Sequence, residues 1–208
     1  MNPQRLRRLS RFLHPSAWRF LFLTATDPSL DRLYWVMKHG QPHDLLSDPF
    51  PRFTTGAVDF LTPRLQPGTR ALEWGAGSST CWLIQKGCTV LSLEHDPSWY
   101  VLLERAVQPP SQVLLRPLGS KYERPVDSIL EFQLIVIDGR HRAACAEFVR
   151  EEVAGGRFAN GLMVVFDDTH RTRYRDAIQQ LRTYSREYEV FSGTTSEVLE
   201  KLTTVMVF

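Results

Sequence analysis

The 208-residue chain is short of cysteine, of long apolar runs and of surplus charge. Its three cysteines, Cys81, Cys88 and Cys145, have neither the number nor the clustering of a disulfide framework or a zinc knuckle, which points to a reducing, cytoplasmic setting. No stretch reaches the roughly 18 to 20 uninterrupted apolar residues of a membrane-spanning helix, and Phe20-Leu21-Phe22-Leu23 falls far below that. Lysine and arginine number 25 against 23 acids, a formal +2, so no nucleic-acid partner is expected. A composition 43% hydrophobic and 23% charged excludes disorder and fits one globular domain with a small appendage.

The charge is uneven in one place. Arg5, Arg7, Arg8, Arg11 and Arg19 all precede the first acid, Asp27, and Leu6, Leu9 and Leu13 share one helical face. This basic tip reads as a packed or frayed terminal helix, with weak membrane-surface contact or an organelle leader as the other readings. Up to about residue 65, prolines at 15, 28, 42, 49, 51 and 63 divide short helices. One of these helices starts at Asp27-Pro28 and places Leu30, Leu33, Tyr34 and Met37 on one face. Residues 1–54 are expected to form a helical lid or interaction segment, with a subunit contact in a homodimer as one use. Residues 55–208 are expected to form the main domain.

After Pro67-Gly68, strand and helix patterns alternate. Strands are expected at Thr69–Trp74, Thr89–Glu94, Gln112–Pro117, Phe132–Asp138 and Gly161–Asp167, with helices at Ser78–Lys86, from Asp96-Pro97 to about Val107, at Arg140–Val153 and around Tyr174 to Leu181. Tyr188–Phe191 and Thr203–Phe208 have no helical pattern between them, so they should close the chain as an antiparallel hairpin at a sheet edge. Such alternation predicts an α/β fold, a doubly wound and mostly parallel sheet covered by helices.

In such sheets ligands bind at the carboxyl ends of the strands, near the switch point of the strand order. Polar residues stand at each of those ends: Glu73 to Thr80, Glu94-His95-Asp96, Leu118-Gly119-Ser120, Asp138-Gly139-Arg140-His141 and Asp167-Asp168-Thr169-His170. Gly75 and Gly77 let a backbone approach a ligand closely, and Ser78, Ser79 and Thr80 offer hydroxyls and amides at a helix start. Glu94 follows Glu73 by 21 residues, the spacing of a carboxylate that binds ribose hydroxyls. Thr80 replaces the third glycine of the dinucleotide fingerprint, and Glu73 would repel a diphosphate. A nucleoside carrying a cationic group fits better.

The runs Ala71-Leu72-Glu73-Trp74-Gly75-Ala76-Gly77-Ser78-Ser79-Thr80, Ser92-Leu93-Glu94-His95-Asp96, Leu134-Ile135-Val136-Ile137-Asp138-Gly139-Arg140 and Val164-Val165-Phe166-Asp167-Asp168-Thr169 occur in this order. Together they resemble the class I S-adenosylmethionine-dependent methyltransferases, most of all bacterial small-molecule enzymes with an E-W-G-x-G-x-S-T turn and an I-D-G-x-x-R stretch. The resemblance covers about residues 55 to 208 and implies a Rossmann-like seven-stranded sheet with the last strand antiparallel. It implies that Glu73, Trp74, Gly75, Ala76 and Gly77, with Ser78, Ser79 and Thr80, hold the methionine end of the cofactor and that Glu94 holds the ribose. His95 would flank the adenine with Gly119 and Ser120 at its edge, and Asp138 would lie beside the sulfonium. Plain turn chemistry is the other reading of His95 and Ser120.

Methyl transfer to a hydroxyl of a small-molecule acceptor needs alignment and a base, and His141 and His170 are the candidates. The resemblance also raises a magnesium site made by Asp138, Asp167 and Asp168, as in divalent-metal-dependent O-methyltransferases. His141 stands where relatives with such a site often carry lysine, and Asp168 can equally be read as a helix N-cap. Arg140, Arg142, Arg171, Arg173 and Arg175 suit a carboxylated or phosphorylated acceptor or plain solvated helix faces. Trp74, Trp82 and Trp99 are expected near the cofactor, with core packing the better reading for at least two. An NAD(P)-binding oxidoreductase and a non-catalytic nucleoside-binding scaffold are the alternatives.

Overall fold

Two-residue alternation along the strands sorts the core into two layers in the computed structural model, which describes residues 49, 51–194 and 200–208. The chain divides between Pro49 and Phe50. The readings placed on the basic tip and on the helix after Asp27 lie outside the described residues.

The strands are β1 (Arg70–Trp74), β2 (Thr89–Glu94), β3 (Gln112–Leu115), β4 (Leu134–Ile137), β5 (Met163–Asp167), β6 (Glu187–Thr194) and β7 (Glu200–Val207). They form one seven-stranded sheet in the order β3-β2-β1-β4-β5-β7-β6. β1 to β5 pair in parallel with one another, and β7 enters antiparallel to both β5 and β6. The expected hairpin at the sheet edge is therefore present, with β7 inside and β6 as the edge strand. Both strands are longer than the apolar residues alone predicted, because polar positions such as Thr194 and Glu200 still pair across the hairpin. The helices are α1 (Thr55–Leu61), α2 (Ser78–Gln85), α3 (Pro97–Glu104), α4 (Ser120–Glu123), α5 (Arg142–Ala154) and α6 (Arg175–Arg182).

On one face, Leu72, Trp74, Ile135, Ile137, Val164, Phe166 and Met206 pack against Cys145, Phe148 and Val149 of α5 and Ile178 and Leu181 of α6. On the other, Ala71, Val90, Leu134, Val136, Val165 and Val205 pack against Ala57, Val58 and Leu61 of α1 and Trp82 and Leu83 of α2. The same parity aims Glu73, Ser92, Asp167, Thr203 and Lys201 toward this second face. Thr54 belongs to the sheet domain, since its N–H donates to Thr203 Oγ1 at 3.0 Å. Residues 51–54, placed with the N-terminal segment by sequence, lie on the sheet's side of the division after Pro49.

The chain order reverses between β1 and β4, which opens a crevice at their carboxyl ends. Ile135 lies in β4, flanked by strands on both sides, and is fully buried. Ile135→Ala should lower the unfolding free energy by about 2 to 5 kcal/mol, read as a lower urea midpoint with unchanged denaturant slope.

Candidate functional site

The turn after β1 is braced from beneath. Glu73 is fully buried, and its carboxylate accepts hydrogen bonds from Ser79, from Ser92 and from Thr80 Oγ1, the last at 2.5 Å. Burial pushes its pKa up and the three hydroxyls pull it back only in part. Thr80 Oγ1 also accepts the Gly77 N–H at 2.8 Å, which fixes the start of α2. The amides of Gly75 and Ala76 donate to Leu93 O at 2.9 and 3.3 Å, tying the turn to the end of β2.

Two glycines of this turn differ in what surrounds them. Gly75 has φ +92°, and a Cβ there would meet Gly139 Cα at 2.7 Å and Asp138 C at 2.9 Å, so the β1 and β4 loops touch backbone to backbone. At Gly77 a Cβ would meet nothing within 4 Å, and Gly119 has the same open space. Trp99 spans the turn with its Nε1 donating to Ala76 O at 2.6 Å. Trp74 and Trp82 are core residues, with Trp74 Nε1 donating to Tyr122 O at 2.6 Å.

At the end of β2, Glu94 is buried, and its Oε1 accepts the N–H groups of His95 and Asp96, each at 2.7 Å. No described residue engages Oε2. His95 Nδ1 lies 2.8 Å from Glu94 Oε1, and the ring meets Tyr122 edge-on at 6.2 Å between centroids. Asp96 caps α3 as its sequence predicted, accepting from Ser98 N at 2.9 Å and Trp99 N at 3.2 Å. Ser120 opens α4, a short helix that the sequence did not announce.

The loops after β4 and β5 each place a non-glycine residue in the left-handed region, His141 at φ 51° and Asp168 at φ 59°. His141 Nδ1 lies 2.7 Å from Glu123 Oε1 of α4. His170 Nδ1 is buried without a hydrogen-bond partner among the described residues. Asp168 is not the cap of the next helix, a short 3-10 turn over Thr172–Tyr174 whose cap position is Arg171. Its carboxylate is used instead in ion pairs.

Arg142 does not belong with the arginines expected on the acceptor side. It is 8% exposed and joins the two loops, donating to Gly139 O at 3.0 Å, Asp138 O at 2.9 Å and Asp167 O at 2.6 Å. It also pairs with Asp138 Oδ1 at 2.8 Å and Asp168 Oδ2 at 3.1 Å. Lys201, which the sequence reading did not single out, reaches Asp167 Oδ2 at 2.6 Å and Asp168 Oδ1 at 3.6 Å. Thr203 Oγ1 donates to Asp167 Oδ1 at 2.8 Å, and Arg171 pairs with Asp168 Oδ2 at 2.8 Å.

Asp138, Asp167 and Asp168 do converge as expected, with one oxygen of each within 4.8 Å of the others. The donor set nevertheless does not fit magnesium. Of the six carboxylate oxygens, only Asp138 Oδ2 lacks a partner among the described residues. A hard cation needs oxygens free to coordinate it, and these face an ammonium, guanidinium groups and a hydroxyl.

Burial, with Asp138 adding to it against the pull of Lys201, pushes the Asp167 carboxyl up to about 7. Burial acts on Asp168 in the same sense, but Arg142, Lys201 and Arg171 outweigh it and hold Asp168 below the ordinary carboxylate range.

No protein-family model matches the chain, and no curated protein matches its sequence. Solved structures match its fold. A Burkholderia thailandensis 1,6-didemethyltoxoflavin-N1-methyltransferase, solved with bound 1,6-didemethyltoxoflavin and S-adenosylhomocysteine, is 13% identical at TM-score 0.55, over 85% of this chain and 86% of that one. An S-adenosylmethionine-dependent O-methyltransferase from Thermotoga maritima is 10% identical at TM-score 0.54, over 80% and 70%. A methyltransferase from Pyrococcus furiosus is 16% identical at TM-score 0.50, over 73% and 81%. The chain has the class I methyltransferase fold, with the expected sheet and antiparallel seventh strand.

Two stability outcomes follow from this geometry. Gly75→Ala should cost roughly 3 kcal/mol or more, whereas Gly77→Ala should stay within about 1 kcal/mol of wild type in urea unfolding. For Asp167, the folded chain holds the proton more tightly than the unfolded chain, whose ordinary value is 3.8. That contribution is complete below the ordinary value and is lost as pH rises through about 7. Between about pH 5 and 7.5, wild type should therefore lose stability relative to Asp167→Asn, read as the difference between their unfolding midpoints.

Proposed function

We propose that this protein is an S-adenosylmethionine-dependent methyltransferase that acts on a hydroxyl of a small-molecule acceptor. The observation that carries this reading is the Glu94 carboxylate. It is buried at the end of β2, one oxygen is locked by two backbone amides and the other has no partner among the described residues. That arrangement suits a pair of ribose hydroxyls. The empty space over Gly77 and Gly119 leaves room for the rest of the nucleoside, and the exposed apolar Leu118 offers a surface for the adenine beside His95 and Ser120. Both Glu73 oxygens are engaged by hydroxyls, so Glu73 would act on the methionine end through the turn of Trp74 to Thr80 that it braces.

Bound S-adenosylmethionine would supply a methyl group already activated by its sulfonium. The protein's task is then to align the acceptor and to take its proton. Asp138 Oδ2, just past the end of β4, is the carboxylate oxygen of the cluster without a partner among the described residues. His141, with Nδ1 directed to Glu123, keeps Nε2 available to take the acceptor's proton, and His170 is the second candidate base. The exposed Arg140, Arg173 and Arg175 follow the same two strand ends and suit an anionic acceptor. We place the enzyme in the cytoplasm, where its three buried cysteines stay free thiols. No helix among the described residues is long and apolar enough to cross a membrane.

Calorimetry with S-adenosylmethionine and S-adenosylhomocysteine tests this reading. Wild type should bind both, and Glu94→Ala should bind about 10- to 100-fold more weakly, the worth of charged hydrogen bonds to two hydroxyls. Gly77→Ala should fold normally and lose binding. A folded wild-type protein that binds NADH and neither methyl-donor nucleoside would turn the reading to an oxidoreductase.

A further inference from the structure

We propose that Lys201 and Arg142 take the place of a divalent cation at the carboxyl ends of β4 and β5, so that the acid cluster there holds Asp138 in position without a metal ion. The sheet pattern delivers Lys201 to this spot. Thr203 lies opposite Asp167 in the antiparallel β5-β7 pair, and a residue two positions away on a strand shares its face, so Lys201 comes beside the same carboxylate.

The ammonium is gripped as an ion in a site would be. It lies 2.6 Å from Asp167 Oδ2 and 3.6 Å from Asp168 Oδ1, and it donates to Arg52 O at 2.6 Å. Arg142 closes the other side by joining Asp168 Oδ2 to Asp138 Oδ1. With Arg171 on Asp168, three side-chain cations meet three carboxyl groups, so the cluster has no surplus negative charge for a divalent ion to neutralise. A divalent ion added to this set would bring two surplus charges into a mostly buried place, where uncompensated charge costs several kcal/mol.

A divalent ion has no fixed bond to the fold, whereas Lys201 is tethered to β7 and Arg142 to α5. The chain from Lys201 through Asp168 and Arg142 ends on Asp138 Oδ1 and leaves Oδ2 without a partner among the described residues. The inference rests on this charge arrangement, and it stands whether or not the protein transfers methyl groups.

The test uses Mn2+ as the probe, followed by its paramagnetic resonance signal and by calorimetry on the full chain. Wild type should show no Mn2+ binding tighter than about 1 mM, and its melting temperature should not respond to Mn2+ or EDTA. Lys201→Met removes the charge and keeps the stem. It should bind Mn2+ at least about tenfold more tightly than wild type, with Mg2+ competing and a second change, Asp168→Asn, abolishing the gain. Lys201→Arg, which keeps the charge, should behave as wild type.

Two results would overturn the proposal. One is wild-type Mn2+ binding at about 50 µM or tighter that Asp168→Asn removes, since the lysine would then be a displaceable occupant. The other is a folded Lys201→Met that binds Mn2+ no better than wild type. If Lys201→Met unfolds alone, refolding it with Mn2+ decides: recovery supports the proposal and failure to recover overturns it. S-adenosylmethionine binding by wild type, measured alongside, separates failure here from failure of the methyltransferase reading.

Discussion

The buried guanidinium of Arg142 is the contact on which the carboxyl edge of this sheet depends. Taking a guanidinium out of water costs several kcal/mol, and it is tolerated here because three backbone carbonyls and two carboxylates receive it. Those acceptors come from the loops after β4 and β5. One side chain thus converts two separate loops into a single rigid edge. Both left-handed residues, His141 and Asp168, sit in the loops that Arg142 joins, which is where backbone strain needs outside support to persist.

A second brace works from below and has the opposite electrostatic sense. Glu73 is a buried acid with no cation among its hydrogen-bond partners, held instead by three hydroxyls. Its environment raises its pKa, and it raises that of its neighbour Cys81, where burial and then Glu73 push the thiol to about 11. The glycine turn therefore rests on a polar knot. The two braces meet at Gly75 and Gly139, whose backbones touch so closely that neither position admits a side chain without movement. Tyr122 locks the same junction, with its hydroxyl accepting the Arg140 N–H at 3.1 Å.

Much of this architecture was legible in local pattern. The five parallel strands, the Asp96 cap, the edge hairpin and the acids at the strand ends all follow from periodicity and turn chemistry, which act within a few residues. What the sequence hid depends on contacts across long separations. Arg142 ends the I-D-G-x-x-R stretch, yet by residue type it suits an anionic acceptor or a solvated helix face alike, because nothing within α5 reveals that its first residue turns back under the loops. Lys201 sits in a strand whose polar residues masked its length, and only the β5-β7 register brings it to Asp167. Helix α4 is four residues long, too short to leave a periodic signature, yet it carries the Glu123 that orients His141.

The same separation explains why the acids after β4 and β5 invited a metal reading. Three carboxylates at converging strand ends are a ligand set when counted by residue type, and they do converge within 4.8 Å. Residue type fixes charge and donor atoms but not which donors are already taken. Here the compensating cations come from α5, from β7 and from the loop at Arg171, so the cluster's net charge is a property of the fold. Paired this way, Asp168 is held charged while the buried Asp167 is pushed toward neutrality, and equivalent side chains one residue apart divide into an anion and a proton holder. Asp138, half-buried past the end of β4, is the member left with an oxygen unpaired among the described residues.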